Sequence, residues 1–317
     1  MKTDGVDGVD ADGKVIIRRQ VRRVDVLRLF ASTPPCLVGM EACASAHSWA
    51  REIAALGHIV KLMPPAYVRP RGKTDAADAE AIAEAVTRPT MRFVAVKTVD
   101  QQAALMLHKV RDLLVRQRTM LANALRAHLA EYGMIAARGP GGVRALVTLL
   151  HERRDRLPAR ARTALHALVT ELRALASQVD KIEAKLLEGH RSDEASRRLA
   201  TIPGIGPITA SAIAASIPDA SLFRSGRQFA AWLGLTPKAH SSGGKERQIG
   251  ISKQGDGYLR RLLVVGATAV LRFARQNNAS RAWAAKLLER KKPKLVAVAL
   301  ANKTARRRRN FRVARSS

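Results

Sequence analysis

The spacing of apolar residues predicts a mainly helical chain with a short α/β layer near its N-terminus. Residues 1–13 are rich in glycine and aspartate and show no apolar periodicity, so we expect a loop or a frayed end there. The composition of residues 14–18 favours a strand, and that of residues 24–30 a short amphipathic helix. A strand–helix–strand order follows, which indicates parallel pairing of the two strands in an α/β layer. Its three segments are 36–40, 45–56 and 58–63.

Long helices are expected beyond this layer. Thr74 is typical of a helix N-cap, and the pattern predicts a helix from Asp75 to about Val86 and a long one over residues 101–132. In residues 160–187, apolar side chains alternate three and four apart, as in coiled-coil heptads. These are Leu165, Leu168, Leu172, Leu175, Val179, Ile182 and Leu186. The seam predicts either association of two chains or packing of this helix against its own domain.

The charge of the chain indicates a polyanionic partner. Its 317 residues include 56 Lys and Arg against 26 Asp and Glu, a formal net charge of +30. Folding does not require such an excess, so we expect nucleic acid, bound with a strong dependence on salt. A membrane surface is the competing polyanion. However, no apolar run reaches the roughly 18 residues of a spanning helix, and no signal-peptide pattern opens the chain. A cytoplasmic protein that binds no membrane is the expectation.

The two cysteines, Cys36 and Cys43, do not point to a metal site. A second pair at metal-ligand spacing is absent from the sequence. We therefore expect both to be reduced thiols buried in the protein interior.

The segment Ile202-Pro-Gly-Ile-Gly-Pro207 predicts a tight hairpin between two helices. Gly204 and Gly206 would let the backbone approach a phosphate closely, and the free N–H groups of the second helix would point at the same anion. This is a helix-hairpin-helix pattern, which binds the DNA backbone without reading its sequence. A plain connection between two helices, with no ligand, is the alternative.

Three carboxylates have the arrangement of a metal site. Glu41 ends an apolar segment, which would hold it at the carboxyl edge of the α/β layer, where ligands bind in such sheets. Asp75 and Asp78 are three residues apart at a helix start and so share one face. Carboxylates from separate elements can bind two Mg²⁺ ions and hold a phosphodiester. Ordinary helix N-terminal acids and a solvated glutamate are the alternative.

The loop His240-Ser-Ser-Gly-Gly-Lys245 carries hydroxyls that could attack a phosphate. A serine is a weak nucleophile until it is activated, and neighbouring cations could stabilise a phosphate beside it. A flexible basic loop that only contacts DNA is the alternative. The basic residues expected to contact DNA are Lys238, Lys245, Arg247, Lys253 and Arg260.

These motifs, in this order, resemble the DEDD transposases of bacterial insertion sequences, the group that includes the Piv-type DNA invertases. The similar segments span roughly residues 36–261, most of the chain. They are Cys36-Leu-Val-Gly-Met-Glu-Ala-Cys43, Leu62-Met-Pro-Pro65, Lys73-Thr-Asp-Ala-Ala-Asp-Ala-Glu80, Ile202-Pro-Gly-Ile-Gly206, Gly234-Leu-Thr-Pro237, Ser241-Ser-Gly-Gly244 and Leu259-Arg-Arg261.

The resemblance implies four regions. Residues 1–97 would form a nuclease domain of the RuvC and RNase H type, and residues 98–192 a helical coiled-coil connection. Residues 193–305 would form a C-terminal transposase domain with a nucleophilic serine, followed by a basic tail over residues 306–317. The expected fold class is therefore mainly α with an N-terminal α/β layer and a helix-hairpin-helix.

The resemblance also implies the chemistry. Glu41, Asp75 and Asp78 match the second, third and fourth acids of the family's tetrad, which would hold Mg²⁺. Ser242, directly before Gly243, matches the catalytic serine, and Ser241 is the runner-up. Members of the family excise and insert double-stranded DNA through a serine–phosphate link, and some are guided by an RNA. We expect a homo-oligomeric transposase; a non-catalytic helix-hairpin-helix protein that binds DNA is the alternative function.

The chain departs from the family pattern at both ends. The family opens with an apolar strand that carries the first acid, whereas Asp4 and Asp7 follow no apolar run here. At the other end an apolar helix is replaced by the basic run Arg306–Arg309. We therefore expect the first strand to be missing and the catalytic activity to be impaired.

Overall fold

A computed structural model describes residues 3–10, 15–65, 75–217, 223–239, 248–273 and 279–306. Most of these residues are helical, and the strands form three two-stranded sheets. The chain divides into two compact units, Met1–Val99 and Asp100–Ser317. The expectation of a mainly helical protein with small sheets is confirmed.

The first unit opens with an antiparallel hairpin of β1, Thr3–Val9, and β2, Val15–Arg22. The expectation of a loop is therefore wrong for residues 3–9. Hydrogen bonds to β2 form this strand although its sequence has no apolar run, because a backbone ladder needs only a partner in register. The pair Asp12-Gly13 is a hairpin signal that lies between the two strands in sequence.

The α/β layer that follows has the expected order. A single 3₁₀ turn and helix α1, Val26–Ala31, lead into β3, Leu37–Glu41. Helix α2, Ala46–Ala55, connects it to β4, Ile59–Met63, and the two strands pair in parallel. Ala46 and Ala50 of α2 pack on Leu62 in a small core. The predicted parallel strand–helix–strand unit is confirmed.

Helix α3, Asp75–Thr87, packs against β1, β3 and β4. Its Val86 lies so close to Gly39 of β3 that an added Cβ at Gly39 would meet Val86 Cβ at 2.9 Å. Met63 of β4 is fully buried beneath the same helix with Ala85 and Val86. The helix is thus held tightly on the strands. It covers the segment that the sequence pattern predicted, whereas the predicted N-cap Thr74 lies outside the described residues.

The two cysteines are free and exposed, so the expectation of buried thiols is wrong. Cys36 directly precedes β3 and Cys43 lies in the turn that follows it, so neither belongs to the apolar part of the strand. Partial burial of its sulfur nevertheless raises the pKa of the Cys36 thiol, which keeps it protonated near neutral pH.

In its described part, the second unit is helical apart from one small hairpin. Ile202, Ile213, Leu233 and Leu259 are among the most buried residues of its core. No helix in the described ranges is both long and apolar enough to span a membrane. The helices are α4, Val99–Ala130; α5, Pro140–Glu152; α6, Ala159–Ser192; α7, Glu194–Ala200; α8, Pro207–Ser216; α9, Gly226–Trp232; α10, Gly257–Arg272; α11, Ala279–Leu288; and α12, Pro293–Ala305. The strands are β5, Pro237–Ala239, and β6, Gln248–Ile251, which pair antiparallel.

Helices α4 and α6 form an antiparallel pair inside this unit. Leu125 and Leu129, near the end of α4, share a core with Leu165 near the start of α6, whereas Arg111 pairs with Glu183 towards the other end of α6. Most of the heptad seam of α6 is buried within the chain; the buried members are Leu165, Leu172, Leu175, Val179 and Leu186. Of the two interpretations of the seam, the structure therefore has packing against the chain's own helices.

Candidate functional site

Asp7 lies in the middle of β1. The sequence predicted neither a strand in this segment nor a metal-binding acid within it. It opposes Arg18 of β2 in the strand register, and its side chain is only 2% exposed. Its Oδ2 lies 3.3 Å from Arg18 Nη2, but the geometry makes no hydrogen bond, so this buried oxygen has no hydrogen-bond partner among the described residues. A carboxylate buried in this way is costly unless a cation or further donors satisfy it.

The three acids predicted from sequence lie on neighbouring elements of the first unit. Glu41 is the last residue of β3 and is partly buried. Asp75 and Asp78 lie in the first turn of α3, and their side chains lie outside the described part of the structure. Among the described side chains no group of three His, Cys, Asp or Glu comes together. Because α3 packs on both β1 and β3, it brings together the elements that carry all four acids.

The two hairpin glycines differ in their surroundings. Gly204 has φ +90° and faces α10, where an added Cβ would meet Val270 Cγ2 at 3.2 Å and the Gly266 carbonyl oxygen at 3.4 Å. An added Cβ at Gly206 would enter open space, and Gly206 is the N-cap of α8 without a side-chain cap. Only Gly206 is therefore open to an approaching ligand, while the predicted DNA contact Gly204 serves packing in this structure.

The serine loop connects β5 to β6. Residues 240–247, with Ser241, Ser242, Lys245 and Arg247, lie outside the described residues. The register pairs Pro237 with Ile251 and Ala239 with Gln248, so the loop closes a short hairpin, which we call the serine hairpin (residues 237–251). The sequence identified the loop but not the strands on either side of it.

The basic residues at the serine hairpin divide into exposed and engaged ones. Lys238 and Lys253 are exposed. Lys253 has φ +57°, a left-handed conformation that is uncommon for residues other than glycine and often occurs at functional sites. Arg260 is partly buried, and its Nη1 donates to the carbonyl oxygens of Leu233 and Gln254. Among the described residues the two lysines have no ion-pair partner, so they could bind a phosphate, whereas Arg260 has internal partners.

A buried polar group, not anticipated from the sequence, joins three helices of the second unit. His108 of α4 is 1% exposed; its Nε2 lies 3.1 Å from Ser211 Oγ of α8, and its Nδ1 lies 3.1 Å from the Tyr258 hydroxyl of α10. Each ring nitrogen of His108 therefore has a hydroxyl as its hydrogen-bond partner. Burial, and then the charge of Arg111, lowers the pKa of His108 to about 4. The histidine is therefore neutral at physiological pH.

Comparison with known proteins identifies the family. A model described as "Transposase IS116/IS110/IS902 family" matches residues 196–283, and a DEDD transposase model described as "Transposase" matches residues 6–134. The second match includes Asp7, Glu41, Asp75 and Asp78. The first includes the serine hairpin and the turn of residues 202–207, which we call the glycine hairpin.

Curated relatives agree with these matches. A Pseudomonas aeruginosa protein named "Probable family 20 transposase" is 50% identical over 307 residues, which cover 95% of this chain and 91% of the relative. The transposase for insertion sequence element IS1328 of Yersinia enterocolitica is 43% identical over 298 residues, 93% of this chain and 89% of the relative. The transposase for IS1111A of Coxiella burnetii is 40% identical over 303 residues, 94% of this chain and 83% of the relative. Together with the acids on β1, β3 and α3, these matches show that the chain belongs to the IS110/IS116 family of DEDD transposases.

Proposed function

We propose that this transposase cleaves and rejoins double-stranded DNA, using metal-binding carboxylates carried by the first unit and a nucleophilic serine carried by the second. The family supports a DNA substrate, and the net charge of +30 supports binding of a polyanion. In this proposal the first unit is a RuvC-like nuclease domain and the second carries a serine transposase domain of the Piv type. The single observation that carries the proposal is the buried carboxylate of Asp7.

Divalent metal ions are used by DEDD transposase domains generally, and the donors of this chain fit such an ion. Asp7 Oδ2 is a buried oxygen with no hydrogen-bond partner among the described residues, as expected of a side chain whose partner is a cation. Asp7, Glu41, Asp75 and Asp78 would hold Mg²⁺, and the bound ion would supply positive charge to stabilise the reacting phosphate. Asp7 then takes the place of the first acid, which the sequence pattern left empty.

The serine supplies the covalent step in this proposal. The Oγ of Ser242 forms a bond to phosphorus, the phosphodiester bond to the neighbouring sugar oxygen breaks, and the released hydroxyl keeps the proton that the serine loses. The reverse step, with the hydroxyl of another strand, rejoins the DNA and frees the serine. Lys238, Lys253 and the loop residues Lys245 and Arg247 would hold the adjacent phosphates. Ser241 is the alternative nucleophile.

The glycine hairpin would bind a DNA phosphate away from the reacting one. Gly206 leaves the backbone open, and Pro207 at the first position of α8 has no N–H of its own, so the next amides are free for an anion. Contacts of this kind position DNA and carry no sequence preference. An RNA guide, as in some members of the family, would supply the missing specificity, and the same basic charge would bind it.

Self-association is proposed through α4 and not through the seam of α6. Met106, Val110, Leu113 and Met120 of α4 follow heptad spacing and are exposed, with 64% and 69% exposure for the two methionines. A heptad stripe is complementary to a copy of itself, so a second chain of the same protein is the partner that we propose. Helix α6, in contrast, has its apolar face covered within the chain.

The experiment tests Asp7 and the serine together. Duplex DNA carrying element ends is incubated with Mg²⁺, and covalent protein–DNA adduct is measured on a denaturing gel. We expect adduct from the native chain, none from Ser242→Ala, and a reduction of at least about a hundredfold from Asp7→Asn. The matched control is Asp4→Asn, which changes a position three residues earlier in the same strand and therefore on its other face. This variant should form as much adduct as the native chain.

The outcomes separate the parts of the proposal. Because Asp7→Asn removes a buried charge that lacks full compensation, the free energy of unfolding should stay level or rise while adduct is lost. Equal loss from Asp4→Asn and Asp7→Asn would refute the assignment of the first acid. Adduct from Ser242→Ala would move the nucleophile to Ser241, and no adduct from any chain would leave a non-catalytic DNA-binding protein.

A further inference from the structure

The peptide carbonyls that follow α9 all have hydrogen-bond partners, and these partners build the base of the serine hairpin. Helix α9 ends in a Schellman motif, with Gly234 at φ +68°, Gly234 N–H bonded to Ala231 O and Leu235 N–H bonded to Ala230 O. The next four carbonyls point away from the helix. Leu233 accepts from Arg260 Nη1, Gly234 from the Lys253 amide, Leu235 from Asn302 Nδ2 and Thr236 from the Ser252 amide.

Arg260 joins the two ends of this hairpin. Its Nη1 lies 2.8 Å from the carbonyl oxygen of Leu233, which precedes β5, and 3.0 Å from that of Gln254, which follows β6. An Nη group carries two N–H donors, so both are used. Leu233 is also the C-cap of α9, where a positive charge is favoured by the helix dipole.

The position of Arg260 is itself fixed by the fold. It lies in the first turn of α10, whose start is capped by Asp256 through its Oδ1, which accepts from the amides of Tyr258 and Leu259. Leu259, one residue earlier, is fully buried in the core. The guanidinium is therefore held by a rigid helix and not by a loop, which suits a group that must keep another segment in place.

The backbones at the hairpin base are in close contact beneath this guanidinium. An added Cβ at Gly234 would meet the carbonyl oxygen of Gln254 at 2.1 Å, and one at Gly255 would meet that of Trp232 at 1.8 Å. Lys253, directly before Gln254 in the chain, adopts its left-handed conformation here. The base of the serine hairpin is thus narrow, and Arg260 is the charged group that spans it.

We propose that Arg260 is a positioning residue, which holds the serine hairpin in the orientation needed for reaction, and not a contact to DNA phosphate. The inference rests on the proposed function for the part that concerns the serine. Among the described residues, Lys238 in this hairpin and Lys253 just after it are exposed cations and would supply phosphate contacts. Removing Arg260 should therefore slow the reaction of bound DNA without weakening its binding.

The experiment compares Arg260→Gln and Arg260→Lys with the control Arg227→Gln in the full chain. Arg227 is an exposed arginine of α9, so its loss changes the net charge equally. Three quantities are measured: DNA affinity over a series of salt concentrations, the rate of adduct formation at saturating DNA, and hydrogen exchange of residues 235–252. We expect Arg260→Gln to keep the salt dependence of the control, to form adduct at least about tenfold more slowly, and to exchange faster in the hairpin.

Arg260→Lys decides between positioning and a general loss of folding. A lysine carries several hydrogen-bond donors, so Arg260→Lys should restore part of the rate of adduct formation and part of the protection of the hairpin from hydrogen exchange. Faster hydrogen exchange over the whole chain in both Arg260 variants would instead show a general loss of folding and overturn the proposal. A salt slope lower by about 0.9 than in the control, with an unchanged rate at saturating DNA, would show a phosphate contact and also overturn it.

Failure of the proposed function has a separate signature. If the native chain forms no adduct, the serine chemistry is refuted, and hydrogen exchange and the salt slope alone decide the role of Arg260. Unchanged exchange of residues 235–252 in Arg260→Gln would then overturn the positioning role.

Discussion

Gly204 and Gly266 meet backbone to backbone, so closely that an added Cβ at Gly266 would come within 1.9 Å of the Gly204 carbonyl oxygen. This contact presses the glycine hairpin against α10. We predict that Gly266→Ala lowers the free energy of unfolding by about 1–3 kcal/mol, because the two backbones must separate. Urea denaturation of the full chain measures this free energy of unfolding. A decrease no larger than the experimental error would show that α10 can shift away from the glycine hairpin at no cost in stability.

Gly206→Ala tests the other hairpin glycine. The position is open and has an ordinary φ of −82°, so a methyl group fits and the decrease in stability should stay below about 1 kcal/mol. DNA affinity should fall if a phosphate approaches this backbone closely. Titration of labelled duplex DNA measures it, and native affinity in Gly206→Ala would place the DNA elsewhere.

His108 predicts how stability depends on pH. Its pKa is lowered to about 4 in the folded chain from an ordinary value of 6.5, so the unfolded chain binds more protons between these values. Stability is therefore retained above pH 6.5 and decreases as the pH falls towards 4, by about 3 kcal/mol in total. Arg111 disfavours the protonated form, and the pKa of Tyr258 is raised by burial, so Tyr258 stays neutral throughout.

The measurement compares denaturation at pH 7 and pH 4.5 for His108→Gln and the native chain. Glutamine does not titrate and can still donate and accept, so the destabilisation of this variant on acidification should be smaller than that of the native chain. His166→Gln, at an exposed position of α6, is the control and should behave like the native chain. Equal pH dependence of all three proteins would contradict a buried neutral histidine.

The basic tail predicts a change in salt dependence. Deletion of residues 307–317 removes five arginines but keeps Arg306, whose carbonyl lies against Gly226 of α9. The slope of log affinity against log salt concentration should become shallower by about 0.9 for each DNA phosphate that the tail neutralises in the native chain. Binding isotherms at four salt concentrations measure it, and an unchanged slope would exclude the tail from the DNA interface.

Charged substitutions should have different effects in the apolar stripes of α6 and α4. Leu172 and Val179 of α6 are buried at 8% and 2% exposure, so replacing either with glutamate should unfold the second unit. Met106→Glu with Leu113→Glu changes exposed positions of α4 and should convert a dimer into monomers at a nearly unchanged melting temperature. Sedimentation and thermal denaturation measure the two effects. A native chain that is monomeric at micromolar concentration would refute association through α4.

Local patterns in the sequence predicted several elements and could locate part of the candidate site. Apolar spacing predicted α2, the long helices α4 and α6, and the parallel pair β3 and β4. Glu41 and Asp75 could be located because each ends or begins an element with a strong local signal. Gly204 and Gly206 could be recognised together for the same reason, although their different surroundings could not.

The remaining features depend on contacts between residues far apart in the chain, which local patterns do not encode. The strand of Asp7 exists because β2 pairs with it, and its burial comes from that partner and not from its own composition. The seam of α6 could have been available to a second chain, but most of it is buried within this one, and residues of α4 and α5 pack on its first part. In the sequence, His108 carries no signal of burial, and Arg260 is expected to contact DNA. Only the tertiary structure places Ser211 and Tyr258 beside His108, and the carbonyls of Leu233 and Gln254 beside Arg260. The reason is that hydrogen bonds form between groups that are close in space, which the local sequence does not specify.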